Sequence, residues 1–162
     1  MGSTAGALLK PVHCRALKLP AKAADQTIAM FDWKPEYSVH IPEIDTQHRR
    51  LFALAGELHT AMGQGKGKAV LEHLLSQLVD YTKVHFASEE KFMRQYRYPE
   101  AVAHKAQHDQ FTAQVLDFQK KFSNGDIALT VSLMVFLKNW LEGHIAGSDQ
   151  KYSAHIRPTL AA

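Results

Sequence analysis

The chain has 162 residues, of which 46% are hydrophobic, 22% charged and 9% aromatic, enough for one domain with a substantial core. No apolar run approaches the roughly 18 residues a membrane-spanning helix needs. The single cysteine, Cys14, excludes an internal disulfide framework and a cysteine-rich metal site. The net charge is +3, but Lys10, Arg15, Lys18 and Lys22 against Asp25, all within residues 1–30, account for it. The rest of the chain is neutral and offers no basic excess for nucleic acid.

In chain order, residues 1–30 are rich in alanine and small side chains and lack sustained periodicity. They read as a disordered N-terminal extension. The apolar stretch AGALL is too short for a secretory signal, and Gly6 stands where myristoylation needs Ser or Thr. The expected location is cytoplasmic, with an organellar transit peptide over 1–30 as the alternative, and Met30 is a possible second start. Residues 31–158 read as one domain, an N-terminal loop containing FDWKPEYSV followed by four helices, and 159–162 as a C-terminal tail.

The first helix is expected from Asp45 to Met62, with Ile44, His48, Leu51, Leu54, Ala55 and Leu58 at helical spacing. GQGKGK breaks it. A second helix, from Ala69 to Tyr96, carries Leu71, Leu74, Leu75, Leu78, Thr82, His85, Phe86 and Glu89 on one face. After YRYPEA, Pro99 suits the start of a third helix, whose inner stripe is His104, His108, Phe111, Val115, Phe118 and Phe122. SNGD is a turn. The fourth helix then runs to Ala146, where Gly147 and Ser148 end it. Short connections between four amphipathic helices predict an all-α, up-down-up-down four-helix bundle.

Polar residues interrupt every inner stripe. His85 and Glu89, like His104 and His108, are four apart, so each pair shares a face with a rise of about 6 Å. The first helix adds His48 and the fourth His144. Five histidines and an acid on inner faces would be buried without partners unless something binds them. Asp149 is about 140° around a continuous helix from His144, so a turn at Gly147 and Ser148 is expected to bring its carboxylate back into the core. Five imidazoles and two carboxylates exceed the ligand set of one tetrahedral zinc and are too nitrogen-rich for calcium or magnesium. Iron suits them, with manganese possible. Two ions sharing both carboxylates fit the count, one with three histidines and one with two, the second keeping an open position for dioxygen.

The motifs W…YSV, IDTQH, HFASEE, HKAQH and WLEGHI…DQKY stand in this order, and the chain from Phe31 to near Pro158 resembles the hemerythrins, particularly the single-domain bacterial ones. The resemblance implies two non-heme iron ions bridged by Glu89, Asp149 and an oxo or hydroxo group. It assigns His104, His108 and His144 to a saturated iron, and His48 and His85 to the iron that receives dioxygen. It also implies that Leu51, Phe86, Trp140, Leu141 and Ile145 line an apolar oxygen pocket, which would disfavour escape of charged products. Asp45 either orients a ligand or caps the first helix. His40 stands where the family commonly has glycine, as a side chain the loop tolerates or as a titratable group near the site. His13, His59, His73 and His155 match no ligand and are expected at the surface.

The implied function is reversible dioxygen binding for storage, delivery or sensing, without enzymatic turnover. The alternatives are a di-iron redox enzyme with peroxidase or nitric oxide chemistry, and an oxygen or iron sensor acting through a separate partner. Dioxygen is the expected ligand and a monomer the favoured state, with neither nucleic acid nor membrane insertion.

Overall fold

Pro42 occupies the first turn of helix α1 (Pro42–Gly63), where its missing N–H breaks no intrahelical bond. The helix therefore begins ahead of the expected Asp45. Helix α2 spans Gly67–Gln95, α3 Ala101–Ser123 and α4 Leu129–Trp140. A π-helical segment, Leu141–Ser148, follows α4 without a break and leads into α5 (Asp149–Leu160). A short 3₁₀ turn, Pro35–Tyr37, precedes α1. These elements come from a computed structural model that describes residues 31–126 and 128–160. The expectations for 1–30 and 161–162 lie outside the described residues.

The architecture is the expected all-α bundle, with no strand among the described residues. α1 packs along α2, α2 along α3, and α4 closes the bundle against α1 and α3. None of the described helices is long and apolar enough to cross a membrane. The α1–α2 connection is tight. Gly65 takes φ +69°, a left-handed position that favours glycine. A Cβ on Gly67 would lie 3.0 Å from both Met62 and Thr130, so this glycine lets the start of α4 approach the α1–α2 corner.

Three further expectations change. α3 starts at Ala101 rather than Pro99, because Arg97 takes φ +51° and turns the chain so that Tyr98 is buried before the helix begins. The chain does not turn at Gly147 and Ser148; it stays helical through 129–160. Asp45 neither caps α1 nor orients a histidine. Its carboxylate accepts hydrogen bonds from the Val39 N–H at 2.8 Å and from the Ser38 hydroxyl, fastening the N-terminal loop to α1.

The core falls into two apolar clusters. The larger contains Leu51, Leu54, Leu58, Leu71, Leu78, Phe111, Leu133 and Ile145 among others. The smaller contains Val39, Ile41, Ile44, Met93, Tyr98, Tyr152 and Ile156. On each long helical stretch, buried polar residues lie between the two. His48 follows Ile44 and precedes Leu51, and Glu89 precedes Met93. His108 precedes Phe111, and Asp149 precedes Tyr152. A slab of histidines and acids thus crosses the bundle.

Candidate metal centre

His48, His85, Glu89, His104, His108, His144 and Asp149 are all buried, none more than 3% exposed. The structure brings all seven into one layer. Their Nε2 atoms point at the two carboxylates. His108 Nε2 lies 3.0 Å from Glu89 Oε2, and His144 Nε2 3.1 Å from Asp149 Oδ1. His104 Nε2 faces both acids, at 3.5 and 3.3 Å. On the other side, His48 Nε2 is 3.2 Å from Asp149 Oδ2 and 3.7 Å from Glu89 Oε1, while His85 Nε2 is 3.7 Å from Glu89 Oε2.

The donor atoms sort into two groups tight enough for one ion each. Glu89, His104, His108 and His144 form one, and His48, His85 and Glu89 the other. Asp149 divides its oxygens, Oδ1 toward His104 and His144 and Oδ2 toward His48.

The π segment places Asp149. Its backbone N–H bonds to the His144 carbonyl, an i→i+5 pattern that stacks residue 149 nearly over residue 144. In an α-helix these side chains would diverge; one wide turn aligns them while the helix continues.

Every Nε2 of the five histidines is buried without a hydrogen-bond partner, as are Glu89 Oε2 and both oxygens of Asp149. Native interiors rarely leave polar atoms so, and one cluster with eight of them calls for cations. Second partners fix the rings. The Nδ1–H of His85 donates to Gln47 Oε1 at 2.9 Å, and that of His144 to Gln107 Oε1 at 2.8 Å. His108 Nδ1 faces Glu90 Oε1 at 3.4 Å. A proton on Nδ1 leaves the Nε2 lone pair directed into the centre, the tautomer a metal requires.

Burial pushes His85 down to about 3, despite the opposing pull of Glu89. Burial also works against protonation of His48 and His104, but Asp149 and Glu89 outweigh it and raise both to about 9. Burial alone would raise Glu89 and Asp149. The surrounding histidines, His85 first for Glu89 and His144 for Asp149, hold both carboxyls well below the usual range. Without cations, the layer needs protons to balance its two carboxylates.

Leu51, Phe86, Leu141 and Ile145 are buried, and Trp140 is partly buried against the same larger cluster. Phe86 stacks on His108 with ring centroids 3.9 Å apart, and Trp140 on His144 at 3.8 Å. Both aromatics therefore cover rings of the three-histidine group. His40 is exposed at φ +58°, so it stands at a left-handed position and adds no group to the centre. His73 and His155 are exposed as expected, whereas His59 is half-buried beside Phe31.

Sequence reasoning assigned no role to five residues that touch the layer. Gln47, Glu90 and Gln107 sit inside IDTQH, HFASEE and HKAQH and hold the far side of ligand-bearing rings. Tyr152, at the end of DQKY, donates its hydroxyl to Glu89 Oε1 at 2.7 Å. Tyr81 stacks on His85 at 4.6 Å. The available signal was their spacing, next to a histidine or one helical turn from a candidate ligand.

A four-helix bundle with a buried histidine and carboxylate layer across its middle is a metal-binding bundle. The family model for the hemerythrin HHE cation-binding domain matches residues 39–156, and the chain belongs to the hemerythrin family. It is 35% identical over 133 residues to a bacteriohemerythrin of Stenotrophomonas maltophilia, covering 82% of this chain and 86% of that one. A bacteriohemerythrin of Methylococcus capsulatus is 32% identical, covering 83% of this chain and all of its own length. The crystal structure of a hemerythrin leucine-to-tyrosine mutant superposes with a TM-score of 0.69 at 30% identity, covering 77% of this chain and 95% of the other.

Proposed function

We propose that the layer holds two non-heme iron ions and that the protein binds dioxygen reversibly, for storage, delivery or sensing. The observation that carries this reading is the set of five unpartnered Nε2 atoms converging on two unpartnered carboxylates, grouped as three histidines and two around a shared Glu89. The donor chemistry fits iron, since imidazole with carboxylate suits a borderline metal that takes more than four ligands.

In this reading His104, His108 and His144 hold one iron, and His48 and His85 the other, with Glu89 and Asp149 bridging. Bound iron would supply the electrons and the vacant coordination position that dioxygen needs. Gln47 and Gln107 orient His85 and His144 through Nδ1, keeping the Nε2 lone pairs inward. Tyr152 holds Glu89 Oε1 and so restrains the carboxylate rotation that would break a bridge. Leu51, Phe86, Leu141 and Ile145 exclude water from the oxygen side, Phe86 reaching it beside His85, which slows escape of charged products, while Trp140 covers His144 of the other group.

The test is to load the protein anaerobically with ferrous iron, count metal per chain and record the visible spectrum through cycles of air and argon. Two irons with an absorption that appears in air and bleaches under argon, repeatedly, is the expected result. One-way conversion to a diferric spectrum would favour a redox enzyme or sensor, and absence of bound iron would end the proposal.

A further inference from the structure

Two tyrosines are buried beside the layer, and they differ in one respect. Tyr152 gives its hydroxyl to Glu89. Tyr81 is 7% exposed, yet its hydroxyl has no partner among the described residues. A buried hydroxyl left unpaired is less favourable than the same ring without it, so phenylalanine would serve better if packing were its only task. The Tyr81 ring lies against His85 with centroids 4.6 Å apart and planes 28° from parallel. The hydroxyl is an unused donor beside the layer, bonded to neither acid.

Tyr81 and His85 also line a cavity of about 220 Å³ between α1 and α2, together with Gln47, Arg50, Gln77, Asp80 and Val84. The exposed Arg50 donates to Gln77 Oε1 at 2.8 Å. Arg50 and Asp80 place opposite charges on that lining, so selection of an anion falls to the unused O–H donor beside His85. We propose that Tyr81 donates a hydrogen bond to a small anionic ligand bound on the His48 and His85 side of the centre, acting as a positioning and selecting residue there. This rests on the di-iron reading above, with its open position on that side.

The experiment uses iron-loaded protein oxidised to the diferric state, titrated with azide and followed by its absorption, in the natural chain and in Tyr81→Phe. The variant is expected to keep two irons per chain and to bind azide at least about 10-fold more weakly, the scale of a hydrogen bond to a charged group. The iron-free proteins give a second readout. Since the Tyr81 hydroxyl has no partner among the described residues, iron-free Tyr81→Phe should melt at the same temperature as the natural chain or higher. Equal azide affinity with both irons retained would overturn the proposal. A lower melting temperature would also overturn it, by showing that the hydroxyl already serves the fold, and loss of iron would place Tyr81 among the groups that hold the metal. A natural chain that takes up no iron would instead defeat the di-iron reading itself, and this proposal with it.

Discussion

Tyr152 on α5 donates its hydroxyl to Glu89 on α2 at 2.7 Å, with both residues fully buried. The bond joins the last helix to the second through the carboxylate shared by the two histidine groups. Removing the donor leaves a buried charged acceptor less satisfied, so Tyr152→Phe should lower stability by about 1.5–3 kcal/mol. Urea unfolding of the iron-free protein measures this. A loss under about 0.5 kcal/mol would mean that His48 alone satisfies that oxygen.

The protonation of the layer makes iron-free stability depend on pH in two directions. His48 and His104 have folded values raised to about 9. Their contribution is complete below the unfolded value of about 6.5 and is lost as pH rises toward 9. His85 is depressed to about 3, so its contribution is present above about 6.5 and is lost as pH falls toward 3. The depressed carboxyls add to the acid loss. Thermal unfolding of iron-free protein should therefore show a maximum near pH 6 to 7. Iron bound there would replace the protons on the layer, so the alkaline fall should be much smaller in loaded protein. An alkaline limb that is the same with and without iron would contradict this.

His104 is the one histidine whose Nε2 lies within 3.5 Å of both bridging candidates. His104→Ala should therefore bind less than one iron per two sites when loaded beside the natural chain. Elemental analysis after desalting measures it. Retention of two irons would remove His104 from the ligand set.

Leu141 is 3% exposed and opens the π segment in the larger cluster. Leu141→Ala should keep both irons and lose about 2–5 kcal/mol of stability through the cavity it leaves. It should also convert to the diferric form faster in air, because water gains access to the centre. Stopped-flow and slow absorbance traces measure both stages. An unchanged conversion rate would show that Leu141 does not guard the oxygen side.

His40 holds φ +58° at an exposed position. For a residue with a Cβ that backbone is unfavourable by about 1–2 kcal/mol, part of which glycine returns through its larger unfolded-state entropy. His40→Gly should therefore stabilise the protein by about 0.5–1 kcal/mol, with no change in iron content. Denaturant midpoints compared at constant slope measure the gain, and a fall would show that the imidazole makes a favourable contact.

The helices and the seven inward polar residues were legible because helical periodicity exposes any polar side chain on an apolar face. His85 with Glu89, and His104 with His108, needed only the four-residue repeat. Asp149 was legible as a candidate but not in its placement: glycine and serine at 147 and 148 read as a stop, while the protein passes through them in a wider helix. Nothing local in LEGHIAGS separates a π turn from an α terminus, since the choice follows from aligning Asp149 with His144 across the centre. Asp45 failed for a related reason. The loop it binds is fixed by long-range contacts, including Ser153 to the Val39 carbonyl at 2.7 Å, which no spacing rule reveals. The second partners Gln47, Glu90 and Gln107 stand within IDTQH, HFASEE and HKAQH, but a glutamine beside a histidine or a glutamate beside another glutamate is ordinary on helix surfaces.

The slab of histidines and acids between the two apolar clusters also bears on how the molecule unfolds. The smaller cluster gathers the N-terminal loop, the near ends of α1 and α2, and α5, and it meets the larger cluster only across groups that want either protons or cations. With the slab unmetallated, the two clusters should be more loosely coupled, and the smaller one should open at lower cost than the rest. Two ions ligated from four helical stretches would weld them into a single unit, because opening the small end would then require giving up metal bonds. The layer of histidines and acids is in this sense also the seam on which the integrity of the bundle depends.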